Sequence, residues 1–122
     1  MSFDKRMLAA AAEAAKRNDR KGKDPRGFLI GAVGIRADGV LVSSKNVAAT
    51  DLAPNHHAEA RLSRKLTPNS AVWVARVLRA STDWAMARPC QGCQNRMKAV
   101  GVQRVVYTVG PNEWGVLILG DD

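Results

Sequence analysis

The chain has 122 residues and a net charge of +8, from 19 basic and 11 acidic side chains. This length predicts one domain over residues 1–122, and an apolar fraction of 46% is ordinary for a globular protein. No apolar run approaches the ~20 residues of a membrane span, and no secretory signal is recognisable, so we expect a cytoplasmic protein without a membrane partner. The charge favours an anionic partner such as a nucleotide or polynucleotide.

The first half of the chain predicts a helix, a β-hairpin and a second helix. Residues 3–17 form a helix with Ser2 as its N-cap, because apolar residues recur there at spacings of three and four. Strands over 28–36 and 40–44 flank an Asp-Gly turn signal, which is typical of a hairpin. A helix over 57–66 ends before Thr-Pro-Asn-Ser, since proline cannot continue it.

The second half predicts three strands and one helix. The nearly continuous apolar run over 71–78 indicates a central strand covered on both faces. A helix over 89–100 begins with proline and is ended by Gly101. Strands over 104–109 and 115–120 are joined by a loop too short for a parallel crossover, so they should pair antiparallel. The order predicts an α/β sandwich with a mixed five-stranded sheet.

The only two cysteines, Cys90 and Cys93, lie three residues apart at the predicted start of a helix. This spacing places both sulfurs on one helix face within a single turn. In a reducing compartment such a pair more often binds metal or performs redox chemistry than forms a structural disulfide. Taken alone, the pair could be a redox dithiol, half of a structural zinc ribbon, or two small buried hydrophobes.

A His-x-Glu stretch at the head of the preceding helix offers further metal chemistry. His57 and the two cysteines would supply three ligands, and three protein ligands with one open position are typical of a catalytic zinc site. His56 could be a ligand instead, and as a fourth ligand it would close the site. His57 and Glu59 do not share a face of an ideal helix, so Glu59 must reach around the first turn.

Both stretches together match a known signature. Residues 57–59 (His-Ala-Glu) and 89–93 (Pro-Cys-Gln-Gly-Cys) have the H-x-E…P-C-x-x-C pattern of zinc nucleobase deaminases. The chain resembles the cytidine deaminase superfamily, which includes deoxycytidylate, tRNA adenosine and polynucleotide cytosine deaminases. The first hairpin, which ends in Asn46, and the strand after the cysteine helix extend the resemblance over residues 28–110. It implies a three-layer α/β/α sandwich around the sheet.

The resemblance also implies a cofactor and a reaction. Zn²⁺ would be held by His57, Cys90 and Cys93, and would activate a water molecule. Glu59 would be the catalytic residue, taking the proton of this water and delivering it to the ring nitrogen and then to the leaving amine. The product of such a hydrolysis is ammonia and the deaminated base.

Substrate contacts are implied by the same resemblance. Asn46 would contact the sugar or the base, the backbone N–H of Ala58 the base carbonyl, and the backbone around Arg88 the exocyclic amine. Asn46 could instead be a turn former at the end of a strand. Trp114 could close over the base and Trp84 could be a lid or stacking residue, although tryptophan in a small domain is more often partly core.

The predicted function is hydrolytic deamination of cytidine, deoxycytidine or dCMP, a small-molecule substrate, by a homo-oligomer whose neighbouring subunits help to close each site. The directly hairpinned last strand resembles the free-cytidine and bacterial toxin branch. Free cytidine deaminases usually have cysteine where His57 stands, however, and deoxycytidylate deaminases usually carry a longer insertion before this helix. The chain therefore matches neither branch throughout.

Two alternatives remain open at this stage. The chain could deaminate single-stranded DNA or RNA, with basic residues along the phosphate backbone: Lys16–Arg26, Arg61, Arg64 and Lys65. The stretch Lys16–Arg26 carries six basic and two acidic residues, although such a stretch is as often a solvated loop. The chain could also be a catalytically inactive relative that binds zinc or nucleic acid. Few aromatic residues are available for base stacking, which argues against the first alternative.

Overall fold

The computed structural model describes residues 2–16, 28–45, 62–78 and 83–120. The elements in these ranges are α1 (Phe3–Lys16), β1 (Phe28–Ile35), β2 (Leu41–Lys45), β3 (Ser70–Leu78), β4 (Trp84–Ala85), α2 (Gln91–Val100), β5 (Val102–Gly110) and β6 (Glu113–Ile118). The strands form one sheet in the order β2-β1-β3-β5-β6, and β4 pairs with β3. Neither α1 nor α2 is long and apolar enough to cross a membrane.

The sheet is mixed, as the sequence predicts. β1 pairs antiparallel with β2 and with β3, whereas β3 and β5 are parallel and are connected through α2. The predicted antiparallel pairing of the last two strands is confirmed for β5 and β6. β6 begins at Glu113, two residues earlier than predicted, because Asn112 adopts a left-handed conformation (φ 58°) and completes a tight turn after Gly110.

The central strand β3 is buried on both faces. Trp73, on one face, belongs to the apolar cluster beneath α1, and Val72 and Val74, on the other, pack in the cluster that contains residues of α2. This alternation follows from the period of two of a β-strand. Two helical layers therefore enclose the sheet, which confirms the predicted α/β/α sandwich.

Helix α1 is fixed at its N-terminus by polar contacts. Ser2 is the predicted N-cap, and its Oγ accepts a hydrogen bond of 3.1 Å from the backbone N–H of Lys5. The Asp4 carboxylate accepts from both Arg104 Nη atoms, at 3.1 and 2.7 Å, and from the indole N–H of Trp73 at 2.9 Å. One carboxylate thus joins α1 to β3 and to β5.

Helix α1 also approaches β1 at backbone distance. The contact residue on the strand is Gly31, and a Cβ built there would lie 2.2 Å from the carbonyl oxygen of Ala11 and 2.5 Å from the backbone nitrogen of Ala15. Alanines on the helix and glycine on the strand therefore allow this close packing, which larger side chains would prevent.

The first half of the helix predicted over 57–66 lies outside the described residues. Within the described part, residues 62 and 63 are helical, and Leu62 is fully buried in the cluster on the α2 side of the sheet. The chain leaves the helix before Pro68, as predicted. Gly101 ends α2 in a left-handed conformation (φ 95°), and a Cβ there would lie 2.7 Å from Pro68 Cα, so only glycine fits.

Candidate active site

Both predicted cysteine ligands lie in the first turn of α2. Cys90 is the N-cap residue, in an extended conformation with φ −68° and ψ 166°, and is exposed. The helix therefore begins at Gln91, and Pro89 lies outside its first turn rather than within it. Cys93 is fully buried in the cluster between α2 and the sheet, and the two cysteines are not joined by a disulfide.

The Pro-Cys segment before α2 is held by the helix that follows it. The side-chain Nε2 of Gln94 donates to the carbonyl of Pro89 at 2.9 Å, and the backbone N–H of Gln94 donates to the carbonyl of Cys90 at 2.9 Å. Two consecutive carbonyls are thereby fixed by one residue one turn into α2. The backbone that carries Cys90 consequently has a defined direction where it enters the helix.

The side chain of Arg88 lies against β5. Its Nη1 donates to the phenol oxygen of Tyr107 at 3.1 Å, and its guanidinium carbon lies 5.7 Å from the centroid of the Tyr107 ring. The Arg88 side chain is thus occupied by a contact with the sheet. The backbone of this segment remains the part predicted to face the substrate amine.

A short strand that the sequence does not predict precedes this segment. β3 pairs with β5 as far as Val74, which lies opposite Tyr107. Further along, β3 pairs with β4, where Arg76 lies opposite Ala85. The hydroxyl of Thr108, which is fully buried, accepts from the backbone N–H of Arg76 at 3.1 Å and donates to the carbonyl of Ala85 at 2.6 Å.

The same threonine also binds the next part of the segment. The backbone carbonyl of Thr108 accepts from the N–H of Ala87 at 2.9 Å. Sequence reasoning missed this residue, and the available signal is small: Tyr107 and Thr108 are two hydroxyl-bearing residues between apolar residues of β5.

The two tryptophans considered for the substrate pack together. The rings of Trp84 and Trp114 are 6.5 Å apart at an angle of 64°, and both residues are half-buried. They pack against the cluster on the α1 side of the sheet, whereas Cys93 belongs to the cluster on the other side. Trp114 also lines a shallow depression with Val109, Asn112 and Glu113. The described structure therefore does not bring Trp114 together with the cysteines.

The remaining predicted site residues lie outside the described residues: Asn46, His56, His57, Ala58 and Glu59. Accordingly, the described part of the chain contains no group of three or more His, Cys, Asp or Glu side chains placed to hold a metal. Of the predicted site residues near α2, Cys90 is its N-cap, Cys93 lies in its first turn and Arg88 lies two residues before Cys90. The assignments of His57 as a ligand and of Glu59 as the catalytic residue stay predictions.

Comparison with known proteins identifies the family. The family model described as the cytidine and deoxycytidylate deaminase zinc-binding region matches residues 1–109. The chain belongs to this family. It is thus a member of a family of zinc-binding deaminases, as the two sequence signatures predict. No curated protein matches the sequence.

Solved structures of cytidine deaminases have the same fold as this deaminase-family chain. Cytidine deaminase from Mycobacterium leprae is 21% identical, with a TM-score of 0.63 over 98% of this chain and 95% of that one. Cytidine deaminase from Burkholderia pseudomallei is 23% identical, with a TM-score of 0.58 over 98% of this chain and 94% of that one. These likenesses confirm the predicted fold class.

The donor set at the start of α2 fits the zinc that the family implies. Two sulfur donors on one helical turn suit a zinc site with nitrogen and sulfur ligands. Buried Cys93 and exposed Cys90 would be the sulfur ligands of this zinc, which would activate water for the reaction.

Proposed function

We propose that the protein catalyses hydrolytic deamination of a cytosine-containing nucleoside or nucleotide: cytidine, deoxycytidine or dCMP. The observation that carries the proposal is the placement of Cys90 and Cys93 in the first turn of α2, in a chain of the zinc deaminase family. This turn follows the carboxyl end of the parallel strand β3, and ligands of open α/β sheets bind at carboxyl ends of strands.

Different residues of the chain would bind the metal and transfer protons. Cys90 and Cys93 as thiolates, with neutral His57, would hold Zn²⁺ and balance its charge. When bound, zinc supplies a Lewis acid that activates water near neutral pH. Glu59 would carry one proton of this water to the ring nitrogen and the other to the departing amine, so that ammonia leaves. The C–N bond to the amine breaks, and a C=O bond takes its place.

Three of the four predicted substrate contacts enter the proposed site. Asn46 would bind the sugar or base, the backbone N–H of Ala58 the base carbonyl, and the backbone of Arg88 the exocyclic amine. The contact between the Arg88 side chain and Tyr107 supports a backbone role, because it directs the guanidinium onto the sheet. Trp114 is left out, because it packs against Trp84 on the α1 side of the sheet.

The antiparallel β5–β6 hairpin supports a small substrate. A directly hairpinned last strand resembles the free-cytidine and bacterial toxin branch, whereas the polynucleotide and tRNA enzymes reach this strand through a helix. The net charge of +8 favours the second candidate, a deaminase of single-stranded DNA or RNA. A homo-oligomer remains our expectation for a chain of this size, and sedimentation would measure it.

One panel of ammonia-release assays on zinc-loaded protein separates these functions. Cytidine, deoxycytidine, dCMP and a cytosine oligonucleotide are compared side by side, and we expect turnover on one of the first three. Turnover on the oligonucleotide alone would establish the second candidate. One bound zinc per chain with no turnover on any substrate would instead identify an inactive binding relative.

The assignment of Glu59 as the catalytic residue is tested by Glu59→Gln. The matched control is Glu13→Gln, at an exposed position of α1. Loss of the general acid–base group should lower kcat by about 10²–10⁴-fold while zinc content stays at that of the wild type. The control should retain both activity and zinc. Full activity of Glu59→Gln would refute the assignment.

A further inference from the structure

The two cysteines are anchored to the molecule in different ways. Cys93 is fixed by burial against the sheet, within a regular turn of α2. Cys90 is exposed at the N-cap, so its position depends on where the preceding backbone enters the helix. A zinc site tolerates deviations of only about 0.2 Å in its ligand distances. Gln94 of α2 holds the carbonyls of Pro89 and Cys90, and the residues before Pro89 are held by contacts outside α2.

Those contacts come from two consecutive residues of β5. The Thr108 hydroxyl accepts a hydrogen bond from the N–H of Arg76 and donates one to the carbonyl of Ala85, the register partner of Arg76. The carbonyl of Thr108 accepts a hydrogen bond from the N–H of Ala87. Tyr107 binds the guanidinium of Arg88 through its phenol oxygen. The anchored residues thus extend to within two positions of Cys90, and the intervening Pro89 has a nearly fixed φ.

We propose that Thr108 and Tyr107 are positioning residues for the metal site: together they set the place of Cys90 relative to Cys93. The threonine acts through the backbone of Ala85 and Ala87, and the tyrosine acts through Arg88. Neither touches the metal or the substrate in this role. The inference rests on the proposed zinc site, and it adds to it the part of the sheet that determines the geometry of one ligand.

The test measures zinc affinity of metal-free protein by competition with a chromophoric chelator, at a temperature far below unfolding. Thr108→Val removes the hydroxyl while keeping the shape of the side chain. It should weaken zinc binding about tenfold, which is the smallest loss of affinity typical of residues that orient metal ligands. Thr108→Ser restores the hydroxyl and should bind within about twofold of the wild type. Tyr107→Phe should weaken binding by about threefold, since only one hydrogen bond is lost.

The matched control is Val106→Ala. Val106 is fully buried on the same strand, in the cluster on the α1 side of the sheet, so this variant should lower Tm without weakening zinc binding. Cobalt absorption spectra provide a second readout, because a displaced thiolate alters the charge-transfer and d–d bands. We expect altered bands in Thr108→Val and wild-type bands in Thr108→Ser and Val106→Ala.

Each outcome decides the proposal. Wild-type affinity in both Thr108→Val and Tyr107→Phe would overturn it, and so would an equal loss of affinity in Val106→Ala. If Thr108→Val does not fold, Tyr107→Phe decides alone: weaker binding supports the role and unchanged binding rejects it. Wild-type protein that binds no zinc would refute the proposed function as well, whereas zinc-binding, active wild type with unaffected variants refutes only this inference.

Discussion

The carboxylate of Asp4 is the polar contact that ties α1 to two strands, and replacing it tests how this helix is held. Asp4→Asn keeps the size of the side chain but removes its charge. The wild-type carboxylate accepts two hydrogen bonds from Arg104, at 2.7 and 3.1 Å, and one from Trp73. Its position in the first turn of α1 also places it at the positive end of the helix dipole.

The expected cost of Asp4→Asn follows from the exposure of the pair. The Asp4 side chain is 21% exposed and that of Arg104 is 38% exposed. Hydrogen bonds to charged groups contribute about 1.5–3 kcal/mol, whereas exposed ion pairs contribute about 0–1 kcal/mol. An intermediate loss of ~1–2 kcal/mol at pH 7 is expected. For a chain of this length each kcal/mol lowers Tm by about 4 °C, so the shift should be ~4–8 °C.

The effect should depend on pH with a defined sign. The hydrogen bond from Arg104 is the main cause that lowers the pKa of Asp4 below its ordinary value of 3.8. A lowered pKa in the folded state means that the carboxylate stabilises the fold fully above pH 3.8 and loses this contribution as pH falls through the folded pKa. The Tm gap between wild type and Asp4→Asn should thus be equal at pH 7 and pH 5, and narrower at pH 3.

Thermal unfolding followed by circular dichroism at pH 7, 5 and 3 measures this gap. Glu13→Gln is the control on the same helix, because Glu13 pairs with Lys16 at 3.3 Å but is 64% exposed. Its loss should cost less than about 0.5 kcal/mol. Equal Tm values for Asp4→Asn and wild type at pH 7, or a gap that is as wide at pH 3 as at pH 7, would contradict the reasoning.

Two further predictions concern packing and the cysteines. Gly31→Ala should destabilise the protein by several kcal/mol in urea unfolding, since the new methyl would meet the Ala11 carbonyl. Gly92→Ala in α2 should stabilise it by up to about 1 kcal/mol, since the new methyl would make only an ordinary contact, 3.9 Å from Cys90 Sγ. Cys90→Ser and Cys93→Ser should both lose zinc. Only Cys93→Ser should lower the Tm of the metal-free protein, because burying its hydroxyl costs about 1–3 kcal/mol of folding free energy. Equal Tm losses for the two serine variants would contradict the difference in burial.

Much of the fold could be predicted because its signals are local. The uninterrupted apolar run of β3 indicates burial on both faces, and the loop between β5 and β6 is too short for any connection except a hairpin. The predicted turn at Gly101 ends α2 as expected. The predicted ends of helices and strands were less accurate where the conformation of a single backbone residue decides where the element begins. The extended N-cap at Cys90 moves the helix start by two residues, and Asn112 moves the start of β6 by two.

The site could be predicted only for residues that carry their own chemistry. Two cysteines three apart leave a metal site, a redox dithiol and buried hydrophobes open, and the His-x-Glu stretch before them indicates the family. β4 could not be predicted, because its residue Ala85 is held by the side chain of Thr108, 23 positions along the chain. A hydrogen bond between residues so far apart in the chain leaves no periodic pattern in the sequence. The tryptophan pair likewise depends on the placement of β4, which brings the ring of Trp84 to 6.5 Å from that of Trp114 on β6.

The burial of Cys93 has a consequence for how metal binding and folding are linked. Its side chain lies in the same core cluster as Met97, so Cys93 takes its folded position only when α2 has packed onto the sheet. Metal that binds this arrangement and not the unfolded chain adds to stability, by about 2.7 kcal/mol at a free concentration of 100 times Kd. Cys90 would bind the metal without packing in the core, so its position can change with metal binding, whereas the position of Cys93 is constrained by packing. The same residue pair therefore joins the folding of α2 to the assembly of the proposed active site.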